Sequence, residues 1–191
     1  MALSDGGLIV TCATLRGRCP PTPRLPRMGY VGSDLWELRQ LVGQRLLALP
    51  GAQVLVLDGE GNALFQRRVD TGLWEIPAGS CEPGSSFAQT AVMELAEETG
   101  LAVDERDLEP FACLSAAEHH VLDYPNGDRV HAFAMCFVAR LWTGSLRAEV
   151  DEVVEFRWAP LIAPPTPMHG PTTEVLRLFD AYTASGAFQA G

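Results

Sequence analysis

The stretch Ser86–Thr99 constrains this chain most. Ser86 offers a hydroxyl at the head of a helix, and Gly100 can take the left-handed conformation that ends one. Between them, Ala88, Ala91, Val92 and Leu95 recur at helical spacing and form an apolar stripe that must be buried against something. The rest of the pattern is costly. At about 100° per residue, Glu97 lies roughly 60° to one side of Glu94 and Glu98 roughly 40° to the other. Three carboxylates therefore share one narrow stripe. Like charges at this spacing repel, and they fall at the C-terminal end, where the helix dipole disfavours negative charge. Two readings fit: a solvated acidic face, or a set of oxygen ligands for a hard divalent cation.

The flanking pattern supplies the partner layer. Ala52–Leu57 is apolar and rich in β-branched residues, Asp58–Asn62 is a turn cluster, and Ala63–Arg68 answers as a second strand. Leu73–Pro77 is extended and runs into a loop containing Gly79. Phe111–Ser115, Val130–Leu141 and Val153–Trp158 read as further strands, with a tight turn at Tyr124–Asp128. Ser33 or Asp34 caps a short helix over Leu35–Leu41, with Leu35, Leu38 and Leu41 or Val42 on its apolar side. Thr172 or Thr173 caps a last one, with Val175, Leu176, Phe179 and Tyr182 on one face. Helix, strands, helix, strands, helix predicts either an α+β chain or an α/β/α sandwich with a mixed β-sheet, rather than regular βα repeats. The segment Arg16–Arg27, with four prolines and four arginines, favours neither helix nor central strand. Residues 1–27 are therefore expected to be a loose extension and residues 28–191 the domain.

Composition narrows the function. The 191 residues suffice for one well-packed domain, and 14 Lys and Arg against 24 Asp and Glu give a net charge of -10. A chain this acidic, with no basic run, is a poor partner for nucleic acid, whereas a small phosphorylated ligand can be bridged to carboxylates by metal. No apolar stretch is long enough for a membrane span, and the patch Leu8–Leu15 lacks the basic lead of a signal peptide. The five cysteines are odd in number and scattered, with no C-x-x-C pair, so reduced thiols in a cytoplasmic protein are expected.

The segment GLWEIPAGSCEPGSSFAQTAVMELAEETGL, residues 72–101, resembles the Nudix box, G-x5-E-x7-R-E-U-x-E-E-x-G-U with U a bulky aliphatic residue. Gly79, Glu94, Leu95, Glu97, Glu98, Gly100 and Leu101 fall at matching positions. The leader Trp74-Glu-Ile-Pro-Ala-Gly79, the Glu82-Pro-Gly84 that follows and the downstream Tyr-Pro-Asn-Gly-Asp turn are also similar to that family, over roughly residues 30–165. The resemblance implies an α/β/α sandwich and a magnesium- or manganese-dependent hydrolase that cleaves a phosphoanhydride bond in a nucleoside diphosphate linked to another moiety. ADP-ribose, nucleotide sugars and nucleoside triphosphates are the substrate classes in view. Many members pair as homodimers, which nothing in this sequence requires.

Carried over by position, the resemblance implies Glu94, Glu97 and Glu98 as metal ligands and the Gly79 backbone close to metal or phosphate. It implies a general base from outside the box; Glu152 is favoured over Glu149, Asp151, Glu155 and Glu118. Arg67 or Arg68 could reach a substrate phosphate, and Trp74, Tyr124 or Phe133 could stack on a base, against ordinary strand-end and core roles. His119, His120 and His131 show no zinc spacing. Two positions depart from the box. Ser85 stands where the first consensus Glu would be, and Met93 where the consensus Arg would be, so a neighbouring glutamate lacks the cation that usually orients it. The alternative to a hydrolase is therefore a catalytically impaired nucleotide-binding module of the same fold.

Overall fold

The computed structural model describes residues 32–124 and 126–191. The expected extension over residues 1–27 lies outside them. In chain order the elements are α1 (Asp34–Val42), β1 (Leu47–Val56), β2 (Asn62–Arg68), β3 (Trp74–Glu75), β4 (Ala78–Ser80), α2 (Phe87–Thr99) and β5 (Leu101–Ala102). They continue with β6 (Leu108–Leu114), α3 (Ala117–His120), β7 (Val121–Asp123), β8 (Arg129–Ala139), β9 (Thr143–Gly144), β10 (Val153–Pro160), α4 (Gly170–Ser185) and β11 (Gln189–Ala190).

The two long apolar strands, β1 and β8, pair in parallel from Leu47↔Val130 to Val56↔Ala139 and form the centre of a mixed sheet ordered β11-β6-β8-β1-β4, with β7 beside β8. Both faces of a central parallel pair must be covered. One face is met by α2, whose Ala91 and Leu95 join Val54, Val56, Leu64 and Phe137 in one core cluster. A second cluster gathers Leu55, Phe65, Trp74, Phe111 and Cys136 with Val175, Leu178 and Phe179 of α4. An antiparallel sheet, β10-β2-β3, contributes to both. Period-two alternation along β2 explains how: Ala63 and Phe65 enter the α4 cluster, whereas Leu64 enters the α2 cluster. The expected α/β/α sandwich with a mixed sheet is what forms.

The helix over 86–99 forms as its sequence dictates. Ser86 caps it, accepting from Gln89 N while the Gln89 side chain reaches back to the Ser86 backbone, and Gly100 closes it at φ 75°. Two other helices depart from expectation. Helix α1 is present, but Leu38 and Leu41 point to solvent, and the residue it buries is Arg39. The Arg39 guanidinium donates to the carbonyls of Gly43, Arg45 and Arg129 at 3.1, 2.7 and 2.7 Å and lies 3.8 Å from Asp128. An ion with that many partners replaces the apolar face the spacing predicted. Helix α4 begins at Gly170, with His169 as its N-cap and Pro171 in the first turn, earlier than a Thr172 or Thr173 cap. Proline fits there because its missing N–H has no helical partner to lose.

Candidate active site

Helix α2 presents its three acids to three environments. Glu98 is 3% exposed and accepts a hydrogen bond from Ala78 N at 3.1 Å. Glu94 is half-buried and Glu97 exposed. The acidic stripe predicted as one face thus runs from the protein interior to water across a single turn.

Gly79 lies directly beneath Glu94. A Cβ at Gly79 would overlap the Glu94 carboxyl group, so any side chain there displaces that carboxylate. Strand β4 brings Gly79 to this position by pairing with β1, Gly79 opposite Ala52. The backbone oxygen of Gly79 in turn packs over Gly51, another position with no room for a side chain.

Further carboxylates close in from other elements. Burial raises the pKa of Glu94 to about 7, reinforced by the charges of Glu97, Glu152 and Glu82. Burial also holds Glu98 well above its ordinary value, and Glu75, Glu94 and Glu152 push it the same way. Glu152 is exposed at the rim of the group; partial desolvation is the first cause that raises it too, although Arg68 opposes the shift. The favoured base candidate therefore stands within electrostatic reach of Glu94 and Glu98. Glu149 lies nearby as well, its backbone N donating to Glu98 O at 3.3 Å and its charge adding to the shift of Glu152, but two other candidates do not gather there. Glu155 pairs with Arg67 at 2.7 Å, and Glu118 is exposed on α3.

The cations resolve as well. Glu155 stands opposite Arg67 in the ladder, so Arg67 projects with Phe65 from the face away from α2. Arg68 lies on the acid side but is engaged there: it donates to both Asp70 oxygens at 2.7 and 2.8 Å and to Glu75 Oε1 at 3.0 Å. These partners outweigh burial and raise its pKa. Both arginines are thus ion-paired, Arg67 with Glu155 and Arg68 with Asp70 and Glu75. Trp74 is 3% exposed within the α4 cluster and has Arg157 4.7 Å from its ring centre, a core position in place of the open stacking surface that was considered. Phe133 is 40% exposed beside His131, and His131 Nε2 contacts Ser115 O at 2.7 Å.

The sequence reading missed a polar cluster next to Glu98. Gln66 is 1% exposed, stands opposite Glu75 in the β2–β3 pairing and lies near enough to Glu75 and Glu98 to act against the upward pKa shift of both carboxyls. His169 Nδ1 lies 3.4 Å from Glu75 Oε2; burial and Arg68 lower its pKa to about 4, which keeps the ring neutral. Burial, with Glu75 and Asp70 nearby, raises the Tyr124 phenol. The signal was available in period two: Leu64, Gln66 and Arg68 share the face toward α2, and buried polar groups on such a face need partners.

A divalent cation fits this donor set. Among the described residues, no three His, Cys, Asp or Glu side chains already encircle an ion. Magnesium does not require that, since it keeps several waters and takes one or two carboxylates together with substrate phosphates. What it requires is uncompensated negative charge, and the site has it: Glu152 raises the proton affinity of Glu94 and of Glu98, and Glu94 adds to that of Glu98.

A sheet-to-helix loop over a bare glycine, followed by a helix that turns a row of carboxylates onto it, defines an α/β/α sandwich with a cluster of carboxylates between sheet and helix. The NUDIX domain family has a model that matches residues 48–179, and the chain belongs to that family. An RNA pyrophosphohydrolase of Novosphingobium aromaticivorans is 25% identical over 113 residues, 58% of this chain and 62% of that protein. Two further relatives, from Bacillus subtilis and Mycobacterium tuberculosis, are matched over 34% and 33% of their lengths, so the chain spans well under two thirds of them. Among solved structures, the MutT NUDIX hydrolase of Burkholderia pseudomallei aligns at a TM-score of 0.53 and 22% identity, covering 69% of this chain and 97% of that one. An ADP-ribose pyrophosphatase from Streptococcus suis aligns at 0.56 and 19%, covering 75% and 98%. At these identities the structures speak for the fold.

Proposed function

We propose that the protein is a divalent-metal-dependent hydrolase that cleaves a phosphoanhydride bond in a nucleoside diphosphate linked to another moiety. The carrying observation is the group of carboxylates whose affinity for protons is raised by burial and by one another, set against a glycine with no room for a side chain. Glu94 and Glu98 would hold magnesium or manganese, with Glu97 at the solvent edge and the Gly79 backbone beside them. When bound, the ion neutralises the pyrophosphate, polarises the attacked phosphorus and makes water more acidic. Glu152, with its raised pKa, serves as the base that takes the proton of the attacking water. The water oxygen bonds to phosphorus as the bridging P–O bond breaks, and the two phosphate-bearing products leave. Glu98 is kept in place from the protein side by Ala78 N. The net charge of -10 favours small nucleotides such as ADP-ribose, nucleotide sugars or nucleoside triphosphates over a polyanionic strand.

A second reading has its own support. Met93 is 47% exposed and carries no charge to orient a glutamate, which favours a module of this family that binds nucleotides without cleaving them. One experiment separates the two. The purified chain is incubated with magnesium or manganese and a panel of ADP-ribose, nucleotide sugars, dinucleoside polyphosphates and nucleoside triphosphates. Turnover that Glu98→Gln abolishes supports the hydrolase. Absence of turnover on every member, with activity gained in a Met93→Arg, Ser85→Glu double variant, supports the binding module.

A further inference from the structure

We infer that two copies of this chain associate through the outer edge of β10, each strand pairing antiparallel with the other about Phe156. In the sheet ordered β10-β2-β3, β10 has β2 on one side and, among the described residues, no strand on the other. Its ladder to β2 runs from Val153↔Arg68 to Pro160↔Asn62. Along such a strand, alternate N–H and C=O groups point away from the neighbour, so β10 offers a row of donors and acceptors to a further strand. Edges are commonly closed to a second chain by lysines, by proline or by a bulge. Here β10 has no lysine, Pro160 comes last, and the bulge falls between Val153 and Glu155, which leaves residues 155–160 in regular register. The surface beside this edge is apolar. Val154 is 48% exposed, and Phe156 and Trp158 are only half-buried against the α2 cluster. Trp142 stacks on Trp158, with ring centres 5.5 Å apart and planes 19° from parallel.

Symmetry and charge identify the occupant as a second copy. Two identical strands that pair antiparallel are related by a two-fold axis, which passes midway between one residue and the same residue of the other copy. Each register therefore has a named centre, and only centres at Phe156 and Arg157 use most of Val153–Pro160. A centre at Arg157 sets arginine against arginine, which is destabilising. A centre at Phe156 sets Glu155 opposite Arg157 of the second copy and Arg157 opposite its Glu155, two favourable pairs from one register. Both side chains are exposed. Arg157 makes no ion pair among the described residues and rests over the Trp74 ring at 4.7 Å. Glu155 is paired with Arg67 at 2.7 Å, and an arginine from across the edge extends that pair into a network. The chain carries a net charge of -10, yet β10 holds one acid and one base, so it is a neutral strip on a molecule that otherwise repels its own kind. The antiparallel arrangement also lays the end of β10 in one copy beside its start in the other. The loop after Pro160, where Ile162 is 96% exposed, then lies toward Glu152 of the second copy.

The test is sedimentation velocity of the full chain over a wide range of concentration, at physiological ionic strength, where charges more than about 8 Å apart are screened. Wild type is compared with Glu155→Arg, with Arg157→Glu and with the double exchange, and circular dichroism confirms that each folds. Wild type should rise with concentration toward twice the chain mass of 20.7 kDa. Each single reversal turns both cross-strand pairs into like charges and should weaken association about tenfold or more. The double exchange should restore it, as should an equimolar mixture of the two single variants. Hydrogen exchange on wild type gives a reading that needs no variant: amides of residues 155–159 should gain protection as concentration rises. Wild type that keeps the mass of one chain at every concentration overturns the inference. So does a dimer that both single reversals leave intact, one that the double exchange fails to restore, or one that forms with no added protection along β10.

Discussion

Glu94→Gln should stabilise the metal-free protein at pH 8 and do little at pH 4.5. The carboxyl of Glu94 has its pKa raised from 4.5 to about 7 by burial and by Glu97, Glu152 and Glu82. A raised pKa means that the folded state holds a proton the unfolded state has released. Between pH 4.5 and 7 the native form therefore binds more protons, and stability falls as pH rises through that window. At about 1.4 kcal/mol for each tenfold change in proton affinity, the difference between 4.5 and about 7 amounts to about 3 kcal/mol at pH 8. For a domain of this size that corresponds to a shift of roughly 6–12 °C in melting temperature. The assay is urea unfolding of wild type and Glu94→Gln in a chelator at both pH values, comparing the pair because other groups titrate in the same range. Magnesium at pH 8 should raise the wild-type midpoint and leave the variant's nearly unmoved. An equal difference between the two proteins at pH 4.5 and pH 8 would refute the reasoning, because it would show that Glu94 feels neither burial nor its neighbours.

Gly79→Ala should leave the fold intact but push the Glu94 carboxylate aside, since its Cβ overlaps the end of a flexible side chain. A displacement near 1 Å costs about a hundredfold in turnover, measured as kcat on the best substrate of the panel. Arg39→Ala leaves Asp128 and three carbonyls facing a void and should cost about 3–5 kcal/mol in urea unfolding, with the pH dependence of any activity unaltered. His169 has a folded pKa lowered from 6.5 to about 4, so the unfolded chain binds the extra proton and stability is lost as pH falls through that window. His169→Gln should reduce the acid-side loss by up to about 3 kcal/mol between pH 6.5 and 4, seen as a flatter stability curve; an unchanged curve would show that the ring titrates normally.

The central helix was readable because its signals are local. Ser86, Gln89 and Gly100 set its ends within one segment, and Ala91 and Leu95 set its buried face. The long strands were readable from their apolar runs, although β1 begins at Leu47, five residues before the run that announced it. The short strands β4, β7, β9 and β11 carry almost no pattern of their own and exist because a neighbour offers a ladder. Arg39 could not have been placed inside α1 from spacing, since its partners lie at Gly43, Arg45 and Arg129, the last of them far along the chain. The acids of α2 were legible as a group, but their division into buried, half-buried and exposed depends on β2 and β3 running underneath. Glu75, Gln66 and His169 escaped for the same reason: each sits in an unremarkable sequence context and gains its surroundings from pairing across strands.

The segment from Gly144 to Glu152 is sewn to the end of α2. Arg147 N donates to Thr99 O at 2.8 Å, Glu149 N to Glu98 O at 3.3 Å, and the backbones pack so closely that a Cβ at Gly144 would meet Gly100 O and one at Gly100 would meet Ser145 O. Glu152 is thus spaced from the acidic helix by a fixed number of residues clamped at both ends, much as a calliper is set. Insertions between residues 144 and 152 should be poorly tolerated by function even though that stretch is mostly surface. The loop from residue 161 to 167 shows no hydrogen bond to α2 among the described residues and is tied instead to β3, where Pro167 O accepts from Trp74 N at 2.9 Å, so lengthening before Pro167 should be better tolerated. Two exposed loops of similar appearance would then follow different histories, one conserved in length and the other a ready place for altering what the protein accepts.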